Sequence, residues 1–217
     1  MNTAGDGTAR LIRTERLALI ELLETLTPED WATPSLCGGW TVRAVAAHLA
    51  WAPTVGPVAA ITGIVRAGFR INKFVADSAV AWSARSTDDI LEQLRAIETS
   101  GAKPAGVPEL AALVDAVVHA LDIRRPLNRP RAVPFETFVA VADWLAYLRW
   151  PSSALLGGGV QKRIHGLRLV ADEADWSHGS GPAVYTVPEV ALLVLTGRPV
   201  WAGELTGPGA EQLYARL

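Results

Sequence analysis

Apolar residues recur at helical spacing from the start of the chain. Between Thr8 and Leu26, the residues Leu11, Ile12, Leu19, Leu22, Leu23 and Leu26 alternate with Arg10, Arg13, Glu15, Arg16, Glu21 and Glu24, which predicts an amphipathic first helix. Thr27-Pro28-Glu29-Asp30 stops it and opens a loop that runs through Pro34 and Gly38-Gly39. Thr41 is placed to cap a second helix through Val42, Val45 and Leu49, with a bend expected near Pro53 and Pro57. The span from Phe69 to Arg85 has no clear period. Thr87-Asp88-Asp89 caps a further helix to about Thr99, ended by Ser100-Gly101. Pro108 sits at a helix start, Glu109 to Leu121 continues it, and Arg124, Arg125 and Pro126 close it. Pro134 opens another helix, Phe135 to Arg149.

Four or five long helices with short connections predict an antiparallel four-helix bundle, and so a mainly α fold. After Trp150-Pro151 the texture changes. Gly157-Gly158-Gly159 reads as a flexible joint, and Leu167 to Val170 alternates like a strand. Ser177 to Pro182 reads as a turn before Ala183 to Val187, and Pro188 to Leu195 and Gly209 to Leu217 read as helices. The expected organisation is a bundle over residues 1–155 and a small α+β C-terminal domain over 160–217.

Composition narrows the function. The 217 residues are half hydrophobic and carry a formal net charge of -2, with a mean hydropathy of +0.22. Near-neutrality without a clustered basic surface gives no reason to expect nucleic acid. Cys37 is the single cysteine, so an intramolecular disulfide is impossible and a reducing cytoplasm is the expected compartment. Met1 to Thr14 lacks the apolar core of a signal peptide. Ala44 to Val65 contains no Asp, Glu, Lys or Arg and is long enough to span a bilayer. It is alanine-rich and broken by Pro53, Gly56 and Pro57, however, which favours a buried bundle helix over a membrane span.

Two helices stand out chemically. From Leu110 to Leu121 the only polar side chains are Asp115 and His119. Four residues apart, they project from one face a turn from each other, and a buried carboxylate and imidazole need a partner. Between Ala44 and Ala60 the only ionisable group is His48. Two imidazoles and a carboxylate suit zinc with a coordination position left open, as a catalytic metal requires. The alternatives stay open on spacing alone: a lone core histidine more often bonds a backbone carbonyl, and Asp115 with His119 can form an intrahelical pair.

Cys37-Gly-Gly-Trp-Thr-Val-Arg-Ala-Val-Ala-Ala-His48-Leu resembles the C-x-G-W-T-V-x-x-x-x-x-H-L segment of the DinB-like bundle in the mycothiol-dependent maleylpyruvate isomerase family. His119-Ala-Leu-Asp122-Ile-Arg-Arg-Pro126-Leu resembles that family's H-x-x-D-I-R-R-P-L motif. Leu195-Thr-Gly-Arg198 and Glu204-Leu-Thr-Gly-Pro-Gly209 are similar to its C-terminal domain. The resemblance implies a divalent metal, zinc, held by His48, Asp115 and His119. It also implies mycothiol or a similar thiol as cosubstrate, and isomerase or S-transferase chemistry on a small electrophile. A thiol ionised by the cation adds to an electrophilic double bond. Addition, rotation and elimination give cis-trans isomerisation, and addition alone gives S-transfer.

The family has glutamate where this chain has Asp115, one methylene shorter. Asp122 either orients His119 or pairs with Arg124 or Arg125. A dicarboxylate substrate calls for an arginine fork, for which Arg66, Arg70, Arg85 and Arg198 are available. Arg198, matching the C-terminal Gly-Arg, is the preferred catalytic or domain-contact residue. Cys37 is assigned to packing, His165 and His178 are expected to be exposed, and Trp31, Trp40, Trp51, Trp82, Trp144 and Trp150 are expected in the core or on its rim, one or two of them lining a pocket. Two rival readings are a noncatalytic DinB-like protein holding a hydrophobic ligand in the bundle interior, and a subunit whose exposed tryptophans make a homodimer.

Overall fold

The computed structural model describes residues 3–149 and 159–217. Trp150, Pro151, Gly157 and Gly158, on which the change of texture and the expected joint fall, lie outside the described residues. The fold is mainly α, and its contacts divide it into two compact units, Met1–Pro130 and Arg131–Leu217.

The first unit contains α1 (Thr3–Leu23), α2 (Pro28–Ala32), α3 (Val42–Trp51), α4 (Pro57–Arg66), α5 (Ile71–Trp82), α6 (Thr87–Ser100) and α7 (Glu109–Arg124). Four of these close the bundle: α1 packs on α6 and α7, and α3 packs on the same two. Ala46, Ala47 and Ala50 of α3 are fully buried. Side chains this small let neighbouring backbones approach closely, and Leu19 and Leu23 of α1 belong to the same buried core cluster.

Thr41 caps α3 as its position implied, its hydroxyl accepting from the Ala44 N–H at 3.3 Å. The loop before α3 contains one helical turn, α2, fixed by a reciprocal capping box between Thr27 and Asp30. The expected bend near Pro53 is a break. α3 ends at Trp51, a 3₁₀ turn follows over Ala52–Thr54, and Pro57 stands in the first turn of a new helix. No helix among the described residues is long and apolar enough to cross a membrane. The unreadable stretch after Phe69 is α5, which packs on α3. Gly63 of α4 lies against the Phe74 ring, where a Cβ would collide with it.

The second unit contains α8 (Phe135–Tyr147), α9 (Val160–Arg163), β1 (Arg168–Ala171), β2 (Trp176–Gly179), β3 (Ala183–Tyr185), α10 (Pro188–Thr196) and α11 (Ala210–Tyr214). The sheet order is β2-β1-β3, with β1 antiparallel to β2 and parallel to β3. The sequence places the domain boundary at residues 155–160, whereas the compact units divide at Pro130. The physical reason is the packing of α8 on α10, supported by the Trp176 indole donating to Asp143 at 2.8 Å. The turn expected from Ser177 is shorter than its residues suggested, because Ser177, His178 and Gly179 pair with β1.

Candidate metal centre

α7 is apolar nearly all round, and from Ala116 to Ile123 every residue is buried. Its interior face carries Asp115 and His119, and α3 presents His48 to the same point. His48 Nε2 and His119 Nε2 each lie 3.4 Å from Asp115 Oδ1. His48 and His119 are buried, while the Asp115 side chain is 37 % exposed. One edge of the cluster is therefore open to a ligand.

Those two separations are long for hydrogen bonds, which centre near 2.9 Å. They match another geometry. Two donor atoms each about 2.0–2.1 Å from a tetrahedral zinc ion stand about 3.3–3.4 Å apart. One ligand atom from each of His48, Asp115 and His119 falls within 4.8 Å of the other two. His48, Asp115 and His119 are thus candidate metal-binding residues, and the aspartate reaches both imidazoles.

The surroundings fix which nitrogen faces inward. His119 Nδ1 lies 2.9 Å from Asp122 Oδ2, and Asp122 is fully buried. A neutral imidazole bonded this way carries its proton on Nδ1 and directs the Nε2 lone pair toward Asp115. The Asp122 carboxylate is thus placed to orient His119. Its backbone carbonyl also accepts from Leu36 N–H at 3.1 Å, which ties the 33–40 loop to α7.

That loop brings Trp40 against the site, its ring centroid 5.4 Å from His48 and 6.2 Å from His119. The two imidazoles stand edge to face at 5.0 Å. His48 Nδ1 is buried and has no hydrogen-bond partner among the described residues. The ring is therefore held by packing and by what its Nε2 faces.

The charges follow from this packing. Burial alone would raise the Asp115 carboxyl, but His48 and His119 together hold it well below the usual carboxylate range. Burial disfavours the charged form of His119, and Asp115 and Asp122 overcome it, raising the imidazole from 6.5 to about 9.

The structure places the other candidates elsewhere or beside the site. Arg198 belongs to the second unit, where it follows α10 and donates to Thr196 O at 3.3 Å. Cys37 lies near the far side of the orienting pair, with a ligand atom within 4.8 Å of ligand atoms of His119 and Asp122; His119 Nδ1 is already committed to Asp122. His165 is exposed as expected. His178 is half-buried, against Tyr147 and Trp176. Trp31 is in the core and Trp40, Trp51, Trp82 and Trp144 are partly buried, while Trp150 lies outside the described residues.

Arg16 also lies beside the site, although one charge on an amphipathic helix does not stand out in the sequence. It lines, with Asp115, a pocket walled by α1, α3, α6 and α7. Its spacing held a signal, because it lies four residues after Ile12 and three before Leu19, on the buried stripe of α1.

A mainly α fold whose bundle buries two histidines around an aspartate defines a helical-bundle protein with a candidate metal centre. Residues 12–104 match the family model described as the mycothiol maleylpyruvate isomerase N-terminal domain. The matched span, less than half of the chain, includes His48 and stops before Asp115. The crystal structure of the mycothiol-dependent maleylpyruvate isomerase is similar, with a TM-score of 0.59 at 13% identity, covering 94% of this chain and 93% of that one. A mutant of the mycothiol-dependent maleylpyruvate isomerase gives 0.56 at 15% identity, with the same coverage. At such identities the likeness is one of fold. No curated protein matches the sequence.

Proposed function

We propose that this protein is a zinc-dependent enzyme that uses mycothiol or a similar thiol to isomerise a small electrophile, or that adds the thiol to it as an S-transferase. The observation that carries the reading is the placement of His48 Nε2 and His119 Nε2 at 3.4 Å from one oxygen of Asp115. The match of residues 12–104 to the isomerase family's N-terminal domain supplies the thiol.

His48, Asp115 and His119 are the metal ligands in this reading. A divalent ion there would supply the positive charge that keeps a thiol ionised at neutral pH. Asp122 holds the His119 ring so that Nε2 faces the ion. Trp40 covers both imidazoles and keeps bulk water from them. Asp115, the partly exposed member, marks the side from which thiol and electrophile enter. Arg198 is kept as a substrate-contact residue on its motif alone. The reducing cytoplasm, where a low-molecular-weight thiol stays reduced, is the matching compartment.

The rival reading, a hydrophobic ligand in the bundle, fits the pocket less well, because its wall carries both Arg16 and Asp115. The test is an assay of the native protein with mycothiol and maleylpyruvate. We expect cis-trans isomerisation, or a thiol adduct, that disappears on chelation and in His48→Ala. Turnover that survives both would overturn the reading.

A further inference from the structure

α4 is apolar yet buries none of its 10 residues, a combination that calls for a cover. Its inner side is marked by Gly63, which lies against the Phe74 ring of α5. Successive helical residues are about 100° apart, which puts Val58, Ile61 and Val65 within about 60° of one another on the side away from Gly63. All three are exposed, Val58 at 80 % and Ile61 at 64 %. Beyond the helix end, Phe69 is 77 % exposed and held in the left-handed backbone region at φ 60°, which a bulky residue rarely adopts. Ile71, at the start of α5, is exposed as well.

The charges beside this face are largely of one sign. No Asp or Glu occurs from Trp31 to Ala76, whereas Arg66 ends α4 and Arg70 and Lys73 open α5. Lys73 is paired with Asp77, one turn further on. Arg66 and Arg70 are exposed and enter no ion pair among the described residues. The corner is therefore cationic, on a chain whose formal net charge is -2.

An occupant of this face has to suit both its grease and its charge. A second copy of the chain would bring Arg66 and Arg70 against an apolar stripe or against each other, with no unpaired acid on the face to receive them. An anionic lipid surface suits both. Its acyl chains receive Val58, Ile61, Val65 and Phe69, and its headgroups receive the two guanidinium groups, whose alkyl stems lie along apolar surface at little cost. No helix among the described residues is long and apolar enough to cross a membrane, so the contact is peripheral.

We propose that the α4 face and the Phe69 corner dock this protein reversibly on an anionic membrane surface, with α4 lying in the plane of the interface. Arg66 and Arg70 then contact headgroups, in place of the substrate fork for which the sequence made them available. The proposal makes no use of the metal centre, and vesicle binding is read without metal or turnover. Failure of the function proposed above would leave it standing.

The test is co-sedimentation of the full-length native protein with vesicles of phosphatidylcholine alone, and of phosphatidylcholine and phosphatidylglycerol in equal parts. Binding should be confined to the mixed vesicles and should weaken as salt is raised. In the double variant Arg66→Gln, Arg70→Gln the partition coefficient should fall about fivefold for each charge removed. In Phe69→Ser it should fall at least about tenfold. These side chains are exposed, so the melting temperature of each variant should stay at the wild-type value.

No binding to the mixed vesicles would overturn the proposal, and so would equal binding to phosphatidylcholine alone. Unchanged binding in the double arginine variant would overturn it too, and that variant decides if Phe69→Ser does not fold. A dimer seen by light scattering and dissociated by Val65→Glu would give the face to a second copy and would likewise overturn it.

Discussion

His48, Asp115, His119 and Asp122 form one chain of dependence. Asp122 orients His119 across 2.9 Å, and His119 and His48 share one oxygen of Asp115. Because Asp122 touches the metal site only through an imidazole, Asp122→Asn should weaken metal affinity about 10–100-fold without abolishing it; competition with a chromogenic chelator would measure this.

The titration of His119 sets a second expectation. In protein stripped of metal its folded pKa lies at about 9 against an ordinary 6.5. A raised pKa means that the stabilisation is complete below 6.5 and is lost as pH rises through 9. Urea titrations of the stripped protein should show stability falling across that window, with His119→Gln lacking the fall. Metal affinity should rise over the same window as the competing proton leaves.

At this scale the sequence was partly legible. Asp115 and His119 were conspicuous as the only polar groups on an apolar helix, and His48 likewise. Arg16 was hidden because α1 is amphipathic and one more charge on it draws no attention. Only its phase relative to Ile12 and Leu19 shows that it faces inward.

Helices with strong local signals were legible close to their ends. Thr41 caps α3, and Gly101, at φ 67°, ends α6 in the left-handed conformation that glycine tolerates. Ser86 rather than Thr87 caps α6, with Asp89 closing the capping box. Removing the Thr41 hydroxyl by Thr41→Ala should cost about 1 kcal/mol of stability, read as a shift in the urea midpoint without a change in slope.

α4 and α5 were harder to read for a physical reason. α5 has no side-chain cap at Arg70, and Val58, Ile61, Val65, Phe69 and Val80 are exposed, so apolar character in this stretch does not report burial. The strands are only three or four residues long, too short for alternation to accumulate. Ser177 and Gly179 are turn-forming types, although Gly179 is needed where β2 passes the Leu167 carbonyl and a Cβ would not fit.

For the whole molecule, the bundle needs only α1, α3, α6 and α7, and α8 joins the second unit. The helical pattern of α8 could be read from the chain. Its partner could not, because an apolar helix face does not say which other face covers it. The bundle unit holds the proposed metal ligands, so metal binding should contribute to its stability by linkage. Chelation should lower the melting temperature of the wild type, and excess zinc should restore it. At a free-metal concentration a thousand times Kd, the effect corresponds to about 4 kcal/mol. His48→Ala should be insensitive to both treatments.

The central claim is that His48, Asp115 and His119 converge because they hold a cation. Elemental analysis of protein purified without chelator tests it most directly, on the wild type beside His48→Ala and Asp115→Asn. The account predicts about one divalent ion per wild-type chain, with zinc the expected element, and little or none in His48→Ala. A wild type without stoichiometric metal, or a His48→Ala variant that retains the full amount, would contradict it.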